Sequence, residues 1–437
     1  MMAEKRRLSR RQKKIAVLTR KNQLSRLLGG NPLVKAGGCA ARTQGLRRYF
    51  VKFFKKMGKS AHGWHILWYN LGMELLGARR FCRLRRLRVL AALALATAIV
   101  YLLADIPAVA NAVFVGGITR GLTWLIGRIT NFIPLSLYEI TALLLIAVGL
   151  ACAVFLIVDL CRKRFGAALS LLYRLGVALL SVLLAFGLLY APLYARAPAA
   201  SAFGLQITQA DAASLYAAAE YYVDELNSLS DEVERDGQGN AVCPYTFSEL
   251  ADLLNAAFDG VPGDYFAFYE VRPKAVALSV PMSYLGITGI YFPFYAEANV
   301  NVNIPDCDLP VTMAHEMAHA KGVAVESEAN ITAYVLCICS EDVFLRYSGL
   351  MEGAARLLNE LPEAQFETLY DRLCEEVRQE YRNVSAHYAK YEGLLDRIST
   401  FFNDLFLKSN GIPSGTRNYS ETAASLVALY QKITAEG

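Results

Sequence analysis

The chain has 437 residues, of which 54% are hydrophobic and only 19% are charged. An ordinary soluble domain carries about 25% charged residues, so this composition argues against a chain that is soluble throughout. The net charge of +6 is unevenly distributed, because residues 1–88 contain 24 Lys and Arg against two acidic residues, whereas residues 89–437 contain 21 against 37.

The basic region, residues 1–88, is expected to lie in the cytoplasm and to have an anionic partner. Within it, residues 46–57 place apolar side chains at helical spacing and Arg or Lys on the other face. The apolar positions are Leu46, Tyr49, Phe50, Phe53, Phe54 and Met57. This pattern predicts an amphipathic helix that binds anionic membrane lipid, with packing on protein as the alternative. No nucleic-acid-binding motif accompanies the charge, so we expect no nucleic-acid partner.

Residues 89–195 contain apolar runs that predict three transmembrane helices. Each run approaches the ~20 residues that a helix needs to cross about 30 Å of hydrocarbon. The predicted helices are at about 87–104, 137–158 and 175–195. A fourth apolar stretch, Ile106–Ile126, is interrupted by Pro107, Gly116, Gly117 and Arg120. We interpret this stretch as an interfacial or re-entrant segment.

Positive charges predict the orientation of these helices, since cytoplasmic loops are enriched in Lys and Arg. The loop after the second helix has four basic residues, and the loop between the first two helices has two. They are Arg162, Lys163, Arg164 and Arg174 in the former, and Arg120 and Arg128 in the latter. The sequence therefore predicts a multi-pass protein of the cell membrane, with a cytoplasmic N-terminus and residues 196–437 outside the cytoplasm.

Residues 196–437 have the pattern of a mainly α-helical α+β domain. Several segments show helical periodicity, while Ala296–Ile304 alternates polar and apolar residues as a strand does. The nine cysteines include no pair of CxxC motifs, so a Cys-type zinc site is not expected. Cys243 and Cys307 are a candidate disulfide, with free thiols as the alternative.

Residues 315–319 read His-Glu-Met-Ala-His, which is an HExxH motif. On a helix, residues i and i+4 lie on one face, so both imidazoles can reach one metal ion. Glu316 lies beside the first histidine, where it can take a proton from a water that zinc activates. Asp308 and Pro310 predict the start of this helix, and Gly322 predicts its end.

A third ligand is needed to complete a zinc site with His315 and His319. Glu326 is the favoured candidate, because Asn330 then lies one helical turn further and can hydrogen-bond a metal-bound histidine. Glu328 is the alternative third ligand. Two other interpretations of the motif remain, namely a solvated helix face and a metal site without hydrolytic activity. The apolar residues around the motif argue against the solvated face, since buried His and Glu are costly without partners.

These residues resemble the zincin metallopeptidases, specifically the gluzincin type with two His and one Glu. The spacing of Glu326 and Asn330 is similar to the ExxxD signature of membrane-linked gluzincins, with Asn in place of Asp. From about residue 89 onward, the chain resembles an uncharacterised family of bacterial membrane proteins with three spans and an HExxH domain. The similar stretches are 133–139, 289–294, 297–301, 315–319, 326–330 and 415–419. The resemblance implies a zincin fold and peptidase activity.

The leading hypothesis is therefore a membrane-anchored zinc metallopeptidase that hydrolyses protein or peptide substrates. The strand at Ala296–Ile304 is expected to offer an edge to an extended substrate. Tyr419 is the favoured candidate for stabilising the oxyanion, and Arg417 and His387 are further candidates. The alternative functions are a non-catalytic zinc-binding receptor or assembly factor and a transporter. The lack of charged residues at the span midpoints argues against the transporter.

Overall fold

The computed structural model describes residues 84–266, 269–409 and 419–436. The predicted amphipathic helix at 46–57 lies outside these residues. Residues Ala92–Gly437 form one compact unit.

The described part of the chain is mainly helical and has one small sheet. Its helices are α1 (Leu84–Ala104), α2 (Pro107–Thr130), α3 (Leu137–Cys161), α4 (Phe165–Leu189), α5 (Ala212–Leu229), α6 (Phe247–Asp259), α7 (Ser279–Ser283), α8 (Leu309–Ala320), α9 (Glu326–Ile338), α10 (Val343–Asn359), α11 (Glu363–Arg372), α12 (Glu375–Ala389), α13 (Leu394–Ser409) and α14 (Tyr419–Glu436). Its strands are β1 (Lys274–Val276), β2 (Gly289–Phe292) and β3 (Glu297–Asn301).

Four helices in the described residues, α1 to α4, are long and apolar enough to cross a membrane, where the sequence predicted three. The additional one is α2, which continues through Gly116 and Gly117 with a π-helical stretch at Ala110–Ile118. Pro107 does not interrupt it, because it occupies the first helical position, where its missing N–H has no intrahelical partner to lose. The expected interruption of this segment was therefore wrong.

The last of these helices also differs from its predicted limits of 175–195. Helix α4 begins ten residues earlier, at Phe165, and ends at Leu189. Arg174 consequently lies within the helix instead of in the preceding loop. The loop between α3 and α4 is reduced to three residues, Arg162, Lys163 and Arg164, and all of them are basic.

Helix α2 contacts the end of α4 and the segment after it, and at its own end it contacts the domain of residues 196–437. Near its start, the Asn111 amide donates to the carbonyl of Ala195, at 3.3 Å. In its middle, the Thr119 hydroxyl donates to the carbonyl of Leu188, at 2.8 Å. At its end, the Thr130 hydroxyl donates to the carbonyl of Tyr295, at 2.9 Å.

The sheet has the strand order β1-β3-β2, so β3 is the middle strand. Strand β3 runs parallel to β1 and antiparallel to β2, with Gly289 paired to Val300. All five residues of β3 are buried. The prediction that Ala296–Ile304 provides an edge for a substrate was therefore wrong, since a middle strand already has both neighbours. Strand β2 is the edge strand next to β3.

The polar face of β3 is buried because its side chains bind the start of α3. The Glu297 carboxylate accepts hydrogen bonds from the N–H groups of Leu137 and Tyr138, in the first turn of α3. In return, the Glu139 carboxylate accepts from the N–H groups of Ala277 and Leu278, beside β1. These contacts give Glu139 a structural role, so it is not evidence for ion transport.

Helix α8 is the central helix of the domain. It packs on β2 and β3 on one side and on α9 and α10 on the other. Its side chains Met313 and Met317 are fully buried, and each such burial contributes about 2 kcal/mol to stability. Helices α9 and α10 approach closely at Gly349, where an added Cβ would lie 2.9 Å from the Cβ of Cys337.

Candidate metal centre

The HExxH motif lies on α8 as predicted, and this helix begins and ends close to the residues that the sequence indicated. The helix has Pro310 in its first turn and ends at Ala320. Gly322 has a φ of 102°, a left-handed conformation that glycine adopts without strain. Asp308 occupies the N-cap position but makes no side-chain cap. Its carboxylate instead accepts from the hydroxyl of Tyr388, at 2.7 Å.

The two histidines and Glu326 come together at one point. His315 Nε2 lies 3.1 Å from His319 Nε2 and 3.2 Å from Glu326 Oε2. His319 Nε2 lies 3.6 Å from the same carboxylate oxygen. Glu326 is the first residue of α9, so the short turn after Gly322 is what returns the chain to α8. These three residues form a group that could hold a metal ion.

The separations of the three donor atoms fit tetrahedral zinc. With ligands at about 2.1 Å from the metal, a tetrahedral site has ligand-to-ligand distances of about 3.4 Å. The observed distances of 3.1, 3.2 and 3.6 Å are close to this value. The donor set of two imidazoles and one carboxylate is also one that zinc takes in catalytic sites.

Mutual electrostatics hold the cluster in place. Burial raises the pKa of Glu326, but the neighbouring imidazoles more than offset it and hold the pKa well below its usual range. Burial lowers the pKa of His319, but the charge and hydrogen bond of Glu326 outweigh it and raise the pKa to about 9. The ionised carboxylate is the form that binds a cation, and zinc would displace the proton of the imidazole.

Glu316 lies beside the cluster and is 5% exposed. Burial raises the pKa of its carboxyl group to about 7. Its Oε2 atom is buried and has no hydrogen-bond partner among the described residues. A buried, unpartnered carboxylate oxygen beside three groups that could hold a metal ion is an arrangement in which the carboxylate could act as a general base toward a water.

Because Gly289 of β2 has no side chain, there is room beside it for the side chain of Glu316. A Cβ atom at this position would lie 2.5 Å from both Cγ and Oε1 of Glu316. Gly289→Ala is therefore expected to displace the Glu316 side chain. Because a displacement of about 1 Å in an active site can lower a rate up to about 100-fold, we expect the rate of peptide hydrolysis to fall by about 10- to 100-fold. Zinc content should stay at the wild-type value, because Gly289 contacts no ligand.

The measurement for this variant is the rate of peptide hydrolysis together with bound zinc. Gly237→Ala is the matched control, since an added Cβ there meets no atom within 4 Å. Equal rates of hydrolysis by the Gly289 and Gly237 variants would mean that the position of the Glu316 side chain does not affect the reaction.

His319 is oriented by two groups that the sequence analysis did not identify. Its Nδ1 lies 2.7 Å from the carbonyl oxygen of Val323 and 3.2 Å from the hydroxyl of Tyr190. The carbonyl can only accept, so Nδ1 carries the proton and Nε2 is left free for a metal. Among the described residues, Asn330 makes no hydrogen bond to either histidine. The second partner was missed because Tyr190 is 129 residues away in the chain.

The other predicted site residues lie elsewhere. The Glu328 carboxylate accepts from the N–H of Ala200, at 3.1 Å. His387 Nε2 lies 3.0 Å from the carbonyl of Asn303. Arg417 and the side chain of Tyr419 lie outside the described residues. Cys243 and Cys307 are both free thiols.

A cavity of about 530 Å³ lies between α10 and α12, and none of the three candidate metal ligands lines it. Charged residues of α10, among them Glu352 and Arg356, line it together with Asp308. The candidate site is therefore identified by its side-chain chemistry and not by cavity size.

Comparison with known proteins gives one match. A family described as "Protein of unknown function (DUF3810)" matches residues 114–427, which is more than half of the chain. The match includes α3, α4 and the metal-ligating residues and excludes the basic region at 1–88. Searches of curated proteins and of solved structures found no similar protein.

Proposed function

The chain belongs to the DUF3810 family of proteins of unknown function, and we propose that it is a membrane-anchored zinc metallopeptidase. The observation that carries this proposal is the meeting of His315, His319 and Glu326 beside the buried, unpartnered carboxylate of Glu316. The three ligands would hold zinc and leave its fourth position open. Bound zinc would lower the pKa of a coordinated water and polarise the substrate carbonyl.

The protein's own residues would then supply the proton transfers. Glu316 takes a proton from the attacking water and delivers it to the nitrogen of the leaving amine. Burial of the Glu316 carboxylate favours acceptance of the proton, because water does not stabilise its charge. Val323 keeps the His319 proton on Nδ1 throughout. Tyr419 remains the favoured candidate for the residue that stabilises the oxyanion.

Strand β2 is where a substrate would bind. It is the outer strand of the sheet on the side of Glu316, and its N–H and C=O groups that point away from β3 can pair with an extended peptide. Pairing on β2 would place the peptide backbone along the line from Gly289 to Phe292, next to the general base.

We further propose that α1, α3 and α4 cross the membrane and that α2 does not. Helix α3 begins, and helix α4 ends, against the domain. Helix α1 runs parallel to α4, since Thr97 lies beside Leu180 and Tyr101 beside Gly187. Helix α2 contacts the domain in its middle, where Arg120 donates to the carbonyls of Asp264 and Phe266, and at its end through Thr130. The basic loop between α3 and α4 then lies on the opposite side of the membrane, which favours an extracytoplasmic domain.

The test of the proposal is zinc-dependent hydrolysis by the full chain in liposomes, with a library of random-sequence peptides as substrate. We expect cleavage with one equivalent of zinc, loss of cleavage after treatment with 1,10-phenanthroline, and recovery when zinc is restored. Bound zinc without cleavage of any peptide would favour the non-catalytic receptor or assembly factor. A protein that binds no zinc would contradict both.

A further inference from the structure

The metal-ligating cluster lies next to the end of a membrane-spanning helix. Tyr190 directly follows α4, and its hydroxyl is 3.2 Å from Nδ1 of His319. The Tyr190 ring is also 5.5 Å from the ring of Tyr291 in β2. One side chain therefore separates α4 from a metal-ligating histidine, and the scissile bond must lie close to the membrane surface.

Strand β2 leads from the cluster to the start of another membrane-spanning helix. Its first residue, Gly289, adjoins Glu316, and its last residue, Phe292, has its ring 5.4 Å from that of Tyr138 in the first turn of α3. At about 3.3 Å per residue, these four residues cover about 10 Å. A peptide paired with β2 would have one end at the level where α3 enters the bilayer.

The exposed surface of α2 has the polarity of a surface that faces lipid. In the second half of this helix, Thr119–Thr130, the buried residues are small, namely Thr119, Thr123, Gly127 and Thr130. Large apolar residues are exposed on the other side, namely Ile118, Leu125 and Ile129, with the exposed Arg128 beside them. A helix that covers a domain in water has the reverse arrangement. The loop that follows continues this surface, since Phe132 is 88% exposed and Leu135 is 64% exposed.

From these contacts we propose the substrate class, an inference that rests on the proposed peptidase function. The substrate is a protein anchored in the same membrane, and the bond that is cut lies within about ten residues of the bilayer surface, given the ~3.3 Å rise per residue of an extended chain. An anchored substrate also has an effective concentration in the mM range at the site, which compensates for weak pairing to a four-residue strand.

The membrane position of the site can be measured without any substrate. With Trp64, Trp68 and Trp124 replaced by Phe, a single tryptophan is introduced by Phe132→Trp, and its fluorescence is recorded in liposomes that contain brominated lipids. We expect strong quenching at this position. Glu376→Trp, on the polar helix α12, is the control and should be quenched little. Equal quenching of the two variants would overturn the proposal, whatever the peptidase activity.

The substrate class is tested by cleavage in liposomes of phosphatidylethanolamine and phosphatidylglycerol that contain the full chain with zinc. One substrate set carries a randomised 12-residue segment directly after a single transmembrane helix. A second set has a 40-residue Gly/Ser linker between helix and segment, so that tethering is the same and only the distance differs. A third set is the same segment free in solution. Products are located by mass spectrometry.

We expect the directly attached segments to be cleaved at least about 10-fold faster than those behind the linker, which corresponds to about 1.4 kcal/mol. Glu316→Gln should abolish this cleavage. Equal rates for the two tethered sets, or faster cleavage in solution, would overturn the inference and leave the peptidase function intact. If no set shows cleavage that depends on Glu316, the peptidase function itself is wrong, and the inference falls with it.

Discussion

Replacing Glu316 with Gln is expected to lower peptide hydrolysis by about 10²- to 10⁴-fold, which is the usual contribution of general acid–base catalysis. Glutamine keeps the size of the side chain, so the close packing against Gly289 is preserved. It cannot accept the proton of the attacking water. The zinc content should not change, because Glu316 is not one of the three residues whose donor atoms converge.

The measurement is the hydrolysis rate at saturating zinc, with metal content determined on the same samples. Glu270→Gln is a suitable control, because this carboxylate is about half exposed and pairs with Arg272 at the surface. Loss of zinc in the Glu316 variant would mean that this residue is a ligand, and wild-type hydrolysis would exclude it as the base.

The second expected result concerns the metal itself. His315→Ala, His319→Ala and Glu326→Gln should each weaken zinc binding by at least about 100-fold, since changes in groups that only orient a ligand already cost about 10- to 100-fold. Each substitution removes one of the three donor atoms, and the remaining two cannot complete a tetrahedral site. Zinc affinity is measured by competition with a chelator of known affinity.

Glu328→Gln separates the two candidates for the third ligand. Its carboxylate binds the N–H of Ala200, a contact that the amide oxygen of glutamine can keep. This variant should therefore retain wild-type zinc affinity. The opposite pattern, with zinc lost in the Glu328 variant and kept in the Glu326 variant, would assign the ligand to Glu328. Unchanged affinity in both histidine variants would exclude the metal centre.

The helix that carries the HExxH motif was predictable because its signals are local. The spacing of His315 and His319 places both on one helix face whatever surrounds them. Pro310 and Gly322 limit the helix through their own backbone preferences. These effects act over one or two turns, so the periodicity of a single segment was enough to predict α8 within one residue of its observed end.

Strand β3 shows where local patterns are insufficient. Alternation in Ala296–Ile304 predicted a strand correctly, but this strand was expected to form an edge and is the middle strand of the sheet. The structure buries Glu297 because its carboxylate binds two N–H groups at the start of α3, 160 and 159 residues away in the chain. Periodicity records which side chains share a face and carries no information on partners so distant.

Helix α2 illustrates the same limit. Its glycines and Pro107 look like interruptions, yet helix geometry continues through them. The outward apolar face and the buried threonines become meaningful only once the domain is in place, because a threonine hydroxyl needs the carbonyl of Leu188 or Tyr295 as its acceptor.

Composition and local spacing were thus enough for three of the four apolar helices and for the HExxH helix, since hydrophobic length and the 3.6-residue period are properties of single segments. Tertiary structure decided which acidic residue joins the two histidines, which strand forms the edge near Glu316, and which helix end adjoins His319. Each of these depends on contacts between residues far apart in the chain, and such contacts exist only after the hydrophobic core has brought the segments together.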